Sequence, residues 1–256
     1  MRGRLMTYGV AAAVVVLGIV GIAILSSDDS DDTTDSGDGG ALLTTTAPTT
    51  SAPQPPPPGV SAPEAGVTID GPTECPAEDG SSERATAFTA APPMCIDETG
   101  VFTATVDTSY GAFTIELDAA KAPLTVNNFI VLSRYGFYDG APFHRIIPGF
   151  VIQGGDAVGN PLGTGNPGYA VDDELPAAGE YEIGSVAMAN SGANTNGSQF
   201  FVITGDNGAA LPPQYSLFGA VTDGLDVVMA IEGTQTTVGD APVDEIIINS
   251  VTVVQN

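Results

Sequence analysis

Two stretches concentrate the residues able to do chemistry. The first is Phe143-His144-Arg145-Ile146-Ile147-Pro148-Gly149-Phe150-Val151-Ile152-Gln153-Gly154-Gly155-Asp156, which sets an arginine inside an apolar strand pattern. The second is Met188-Ala189-Asn190-Ser191-Gly192-Ala193-Asn194-Thr195-Asn196-Gly197-Ser198-Gln199-Phe200-Phe201, rich in amides and ending in aromatics. Arg145 is one of only 6 cations in 256 residues. A permanently charged guanidinium in such surroundings needs either a carboxylate partner or a task as a fixed donor. On the residues alone both readings stand. Phe143, Phe150, Phe200 and Phe201 would ordinarily be core aromatics. By strand alternation Phe200 and Phe201 face opposite ways, so at most one of them lines a pocket.

Other chemistries are excluded or disfavoured. One His and 2 Cys leave too few soft ligands for a zinc cluster. With 31 Asp+Glu against 6 Lys+Arg, the net charge of −25 argues against binding nucleic acid, which requires basic surface. No G-x-S-x-G, H-E-x-x-H or Walker sequence occurs. Gly163-Thr164-Gly165-Asn166-Pro167-Gly168 fits G-x-G-x-x-G by letter. No strand enters it through Pro161-Leu162, and Pro167 spoils the helix that should follow, so it reads as a Gly-rich surface loop. Asp172-Asp173-Glu174 reads as a solvated acidic loop in preference to a Ca²⁺ site. Asn196-Gly197-Ser198 is a formal glycosylation sequon, but its place between motif residues disfavours modification.

The elements that must position these residues occupy 101–254. VFTATVDT (101–108) and AFTIELD (112–118) alternate as strands about a Ser109-Tyr110-Gly111 turn, a hairpin signal. Pro123 opens a helical pattern with apolar Leu124, Val126, Phe129, Ile130 and Leu132, stopped by Gly136. Short strands follow at 143–148, 150–154, 185–190, 199–203 and 216–221. Asp223 is placed to cap a second helix through LDVVMAIE, closed by Gly233. DEIIINSVTVV (244–254) is the last strand. Eight short strands with Gly-rich turns and two helices suggest a mainly β architecture, a closed barrel capped at its ends.

Ahead of that domain the chain changes character. Residues 1–4 are basic, and 5–25 form an uncharged apolar run of about the ~20 residues that span a hydrocarbon core. An uncleaved transmembrane signal anchor is favoured over a cleaved secretory signal, because the run is long and ends in a poor cleavage site. A buried core helix fits least, since the run is apolar all round. Arg2 and Arg4 before the run place the remainder outside the cytoplasm. Residues 26–66 read as a disordered linker, first acidic and then rich in Thr, Ala and Pro, with a polyproline rod at 55–58. Cys75 and Cys95 are the only cysteines. In an oxidising compartment a disulfide closing a strap over 67–100 is expected, with a pair of free thiols the alternative.

The two motif stretches, in this order and spacing, resemble the cyclophilin family of peptidyl-prolyl cis-trans isomerases. The signature is FHRIIPGF-x-x-QGGD with MAN-x-G-x-NTNGSQFF, and the resemblance covers about 101–254. The strap resembles that of exported actinobacterial members, which points to a membrane-anchored bacterial protein. The resemblance implies a cyclophilin-like eight-stranded barrel that isomerises X–Pro bonds in exported proteins without metal or cofactor and works as a monomer. It implies that Arg145 donates to the twisted amide. It implies that Phe150, Val151, Phe201 and Leu211 hold the proline ring, and that Gln153 orients Arg145 and the substrate backbone. It places Ala189, Asn190 and Gln199 along the groove for the residues preceding proline, with Tyr215 at the rim. Three positions depart from the family pattern: Val151 replaces a frequent Met, Tyr215 a His, and Ala210 a Trp. These departures bear on substrate preference and cyclosporin sensitivity. The competing expectation is a proline-peptide-binding chaperone or scaffold with weak turnover.

Overall fold

The computed structural model describes residues 61–256. The expected anchor at 5–25 and the linker up to residue 60 lie outside the described residues. Among the described residues no helix is long and apolar enough to cross a membrane.

All eight expected strands are present. They are β3 (Phe102–Thr108), β4 (Gly111–Leu117), β5 (Arg145–Ile147), β6 (Val151–Gly154), β7 (Ser185–Met188), β8 (Phe200–Ile203), β9 (Leu217–Asp223) and β10 (Ile248–Gln255). They follow two strap strands, β1 (Val67–Ile69) and β2 (Ala85–Phe88). The eight form one antiparallel sheet in the order β10-β3-β4-β9-β7-β8-β6-β5. Alternation sets the faces: Phe102, Ala104 and Val106 of β3 and Phe113, Ile115 and Leu117 of β4 point inward. The sheet curls into a half-barrel. Its two edge strands form no ladder with each other. Instead the segments leading into them meet, with the Gly140 N–H on the Ile248 carbonyl (2.7 Å) and the Phe143 N–H on the Ile246 carbonyl (2.8 Å). Closure is thus made by irregular backbone where a regular ladder was expected.

Helix α1 (Pro123–Arg134) carries Pro at its start and packs on β10. It ends in a Schellman turn. Gly136, with φ 61°, donates to the Ser133 carbonyl, and Phe137 donates to the Leu132 carbonyl. Ten of its twelve residues are buried, more than its one apolar stripe predicts, whereas the expected core position Leu124 is 43 % exposed. The reason is the strap, which covers the outer face. Asn127 accepts the Cys95 N–H (2.7 Å) and donates to the Pro93 carbonyl (2.9 Å). Tyr135 donates to the Glu74 carbonyl (3.0 Å). Cys75 and Cys95 form a disulfide. Residues 61–66, expected as linker, lie on the domain, with the Gly66 N–H bonded to the Thr86 hydroxyl at 2.8 Å.

Two expectations about acidic residues are corrected. The Glu174 carboxylate, read as part of a solvated loop, accepts the N–H groups of Leu124 (3.0 Å) and Thr125 (2.8 Å) and the Thr125 hydroxyl (2.8 Å). It caps α1 from fifty positions away, where the helix dipole favours a negative charge. Asp223 does not cap the later helix. It ends β9, and Gly224 holds the capping position of α3 (Leu225–Glu232) without a side-chain bond. A four-residue helix, α2 (Asp206–Ala209), was not anticipated.

The main core centres on Phe129, whose ring lies 5.2 Å from Tyr138, 5.7 Å from Phe200 and 5.1 Å from Phe218. A second cluster of Val151, Tyr181, Ala187, Phe201 and Ile203 lies apart from it, with Phe150, Leu211 and Tyr215 packed against it.

Candidate active site

The second cluster forms the floor of the site. In the β5–β6 ladder Arg145 pairs with Gln153 and Ile147 with Val151. In the β6–β8 ladder Gln153 pairs with Phe201. Register therefore lays Arg145, Gln153 and Phe201 in one row across three strands, on the face opposite Ile146, Ile152 and Phe200, which belong to the main core. Phe200 and Phe201 do face opposite ways, as alternation required.

A cavity of about 150 Å³ opens over this row. It is lined by Arg145, Phe150, Val151, Gln153, Ala189, Asn190, Phe201, Leu211 and Tyr215. Gln199, the remaining expected groove residue, stands behind the lining. Its side chain closes a hydrogen-bond chain that fixes the arginine. Gln199 Nε2 donates to the Gly165 carbonyl (2.9 Å), Gln153 Nε2 donates to Gln199 Oε1 (3.1 Å), and Arg145 Nη1 donates to Gln153 Oε1 (3.3 Å). The Phe201 and Tyr215 rings meet edge to face, 5.3 Å apart. Ala210 is exposed and stays outside the lining.

Further residues hold this arrangement from behind, of which sequence reasoning missed Tyr181 and Asp240 as parts of the site. The Asp156 carboxylate, fully buried, accepts four N–H groups, from Val158 (3.1 Å), Gly159 (2.7 Å), Gly163 (2.7 Å) and Gly165 (2.9 Å). A Cβ on Gly159 or Gly165 would collide with that carboxylate, which explains one glycine of the rejected dinucleotide-like motif, Gly165, while a Cβ on Gly168 would collide with the Phe88 carbonyl. Their loop presents the Gly165 carbonyl to Gln199. Tyr181 is buried, and its hydroxyl donates to the Tyr215 carbonyl (2.6 Å) while accepting the Tyr215 N–H (3.1 Å). Asn190 Nδ2 donates to the neighbouring Gln214 carbonyl (2.9 Å). Asp240 Oδ2 lies 3.8 Å from Arg145 Nε, with 41 % and 47 % of the Arg145 and Asp240 side chains exposed. Such a solvated contact contributes little stability, so an acid partner alone does not explain the arginine. Tyr181 and Asp240 carried no local signal, since their partners lie far along the chain, whereas Asp156 closed the first motif and Asn190 was an expected groove residue whose bonds could not be read from type alone.

His144, next to Arg145, does not line the cavity. Burial pushes its pKa below the usual histidine value, opposed by the nearby Asp156 charge. The imidazole is therefore neutral near pH 7. Among the described residues no cluster of His, Cys, Asp or Glu is arranged to hold a metal ion.

A half-barrel with an arginine fixed by glutamine at the lip of an aromatic-floored cavity defines a class. The model for "Cyclophilin type peptidyl-prolyl cis-trans isomerase/CLD" matches residues 103–253, and the chain belongs to that family. It is 42 % identical over 158 residues to peptidyl-prolyl cis-trans isomerase CYP18-1 of Arabidopsis thaliana, covering 59 % of this chain and 96 % of that one. It is 42 % identical over 146 residues to peptidyl-prolyl cis-trans isomerase-like 1 of Aspergillus oryzae, covering 55 % and 88 %. Among solved structures, a cyclophilin type peptidyl-prolyl cis-trans isomerase of Cryptosporidium parvum superposes with a TM-score of 0.56 at 34 % identity, covering 61 % of this chain and 99 % of that one. The same Cryptosporidium protein was also crystallised in the presence of the dipeptide Ala-Pro, and that structure matches with a TM-score of 0.55.

Proposed function

We propose that this cavity catalyses rotation about X–Pro bonds with the residues the row brings together. Rotation of the planar amide meets a barrier of about 18–20 kcal/mol, because the C–N bond must lose its resonance. In the twisted form the nitrogen lone pair is freed and becomes a basic acceptor. A site that binds this form better than either planar form lowers the barrier without nucleophile, metal or cofactor.

Phe150, Val151, Phe201 and Leu211 seat the proline ring, with Tyr215 at its rim. Arg145 donates to the freed nitrogen. Gln153 orients both the guanidinium and the substrate carbonyl. Ala189 and Asn190 line the path of the preceding residues, and Gln199 acts on it through Gln153. The observation that carries this reading is the Gln199–Gln153–Arg145 chain, which holds a charged donor at the edge of an apolar cavity. Mere retention of proline peptides needs no such donor, so turnover is favoured over a scaffold role.

The setting belongs to the same proposal. A basic start, an apolar run at 5–25 and a disulfide in the strap support a membrane-anchored bacterial protein, monomeric, with its domain outside the cytoplasm and exported polypeptides as clients.

The experiment is NMR exchange spectroscopy of an Ala-Pro peptide with substoichiometric full-length chain in detergent micelles. Cis–trans exchange is expected to become fast against an uncatalysed time of tens of seconds or longer. Saturable binding with exchange left at background would replace the enzyme by the scaffold.

A further inference from the structure

Arg84, Lys121, Arg134 and Arg145 are the lysine and arginines of the described residues, and all but Arg134 have partners. Arg84 donates to the Gly136 (3.0 Å), Glu64 (2.6 Å) and Asp139 (3.0 Å) carbonyls. Lys121 lies 3.8 Å from Asp118 and 3.6 Å from Glu180. Arg145 is bonded to Gln153. Arg134, in the last turn of α1, is the most deeply buried of the four, with only 8 % exposed. Its guanidinium nonetheless meets no acceptor and no carboxylate among the described residues, and Nε is shut off from solvent without a bond. The nearby carbonyls of α1 are already taken. Val131 accepts the Tyr135 N–H (3.0 Å), Leu132 that of Phe137 (3.0 Å) and Ser133 that of Gly136 (2.9 Å). Removing a guanidinium from water without a counter-ion is costly, so the group is poised to accept an anion.

Arg134 lines a cavity of about 470 Å³ bounded by the strap, the end of α1 and β10. β10 is an edge strand of the sheet. Val254 pairs with Thr103 and Thr252 with Thr105, and the Asn256 N–H donates to the Val101 carbonyl (2.9 Å). Antiparallel alternation therefore turns the backbone groups of Thr252 and Val254 toward β3 and those of Val251 and Val253 outward. The segment entering β5 covers this outer edge only at Ile248, which accepts the Gly140 N–H (2.7 Å) and donates to the Ala141 carbonyl (2.9 Å). Past that point the outward N–H and C=O groups of Val251 and Val253 are bonded to nothing among the described residues, and both residues line the cavity.

An unpaired edge is a template for one more strand. A strand laid along 251–254 must stop at the covered end, beside Ile248. Gly136 and Asp139, which share the cavity with Arg134, lie at that end, since Asp139 immediately precedes Gly140. An added strand running antiparallel to β10 would bring its C-terminus there. Charge selects the same ligand. Glu78, Asp79 and Asp139 also line the cavity, so a polyanion is repelled while one carboxylate at the guanidinium is not. We propose that this groove docks the C-terminal segment of another polypeptide, added antiparallel to β10 through Val251 and Val253, with its terminal carboxylate on Arg134. The groove shares no lining residue with the cavity over Arg145, so a polypeptide held by its end leaves that cavity open.

The test titrates full-length chain in micelles with acetyl-Thr-Val-Thr-Val, carrying either a free carboxylate or a carboxamide, and reads backbone amide resonances. The free acid should bind about 10- to 100-fold tighter than the amide, the ratio for a hydrogen bond to a charged group. The largest shifts should fall at Val251 and Val253, with Phe150 and Phe201 left in place. Arg134→Gln should abolish the preference for the acid. Should that variant fail to fold, Arg134→Lys, which keeps the charge without the planar fork, should retain only part of the preference. Equal binding of acid and amide, no saturable binding of either, or shifts confined to Phe150 and Phe201 each overturns the proposal. So does a carboxamide peptide with an internal Glu that binds as tightly as the free acid.

Discussion

Arg145 and Gln153 face each other directly across the β5–β6 ladder, and Arg145 Nη1 donates to Gln153 Oε1 at 3.3 Å. The arginine's aim is thus set by sheet register together with a side chain that is itself held by Gln199. Removing the amide should free the guanidinium to swing toward Asp240 and solvent. A hydrogen bond to a charged group contributes about 1.5–3 kcal/mol, so Gln153→Ala should lower kcat/KM about 10- to 100-fold. Exchange kinetics check this, with thermal unfolding confirming that the variant is folded at the assay temperature. An unchanged kcat/KM would mean that Arg145 is oriented by something else.

Glu174 supplies three hydrogen bonds to the start of α1, and the helix has no other side-chain cap. Glu174→Ala should destabilise the fold by about 1–3 kcal/mol, the combined range for a lost cap and a lost charged acceptor. Glu174→Gln should fall between, since it keeps an acceptor but not the charge. Denaturant titration measures both. Peptide turnover at 25 °C should persist, because the cavity is built from other elements.

His144 gives stability a pH dependence of known sign. Its folded pKa lies below the unfolded value because burial disfavours the imidazolium. The unfolded chain therefore binds more protons as pH falls through the ordinary histidine range. Stability should decline from about pH 6.5 downward and level off once the folded pKa is passed. Melting curves from pH 7.5 to 5 check this, and His144→Gln should flatten the decline. Turnover should stay level over the same interval at temperatures well below melting, since His144 does not line the cavity.

The Cys75–Cys95 disulfide spans 20 positions and ties the strap over α1, away from the cavity. Reduction should cost about 3 kcal/mol of stability in the chain-entropy model. Isomerase activity of the chain that remains folded should be retained. Unfolding curves with and without a thiol reductant provide the comparison.

What was legible in the sequence follows the range over which each feature acts. Strands β3 and β4 show period-two burial within seven residues, and Pro123 and Gly136 bracket α1 by local backbone preference, so pattern found them. Arg145 and Phe201 stood out because residue type and alternation are local properties. Nine of the ten expected site residues line one cavity, and the tenth, Gln199, stands directly behind it. Glu174, Tyr181 and Asp240 were not legible, because each meets a segment far along the chain. Asp156 closed a quoted motif, but an acid in a chain with 31 of them gives no hint that it is buried and organises the loop after it. The barrel's closure was misjudged for a similar reason, since Gly140–Phe143 and Ile246–Ile248 meet without strand periodicity.

The most direct measurement compares parent and Arg145→Ala full-length chain for cis–trans exchange and for binding of the same Ala-Pro peptide, both read in one NMR titration. If the fixed guanidinium stabilises the twisted amide, the variant should still bind the peptide through Phe150, Phe201 and Leu211 while exchange drops to the uncatalysed rate. Exchange by the variant as fast as by the parent would contradict it, and would leave the apolar cavity alone responsible for catalysis.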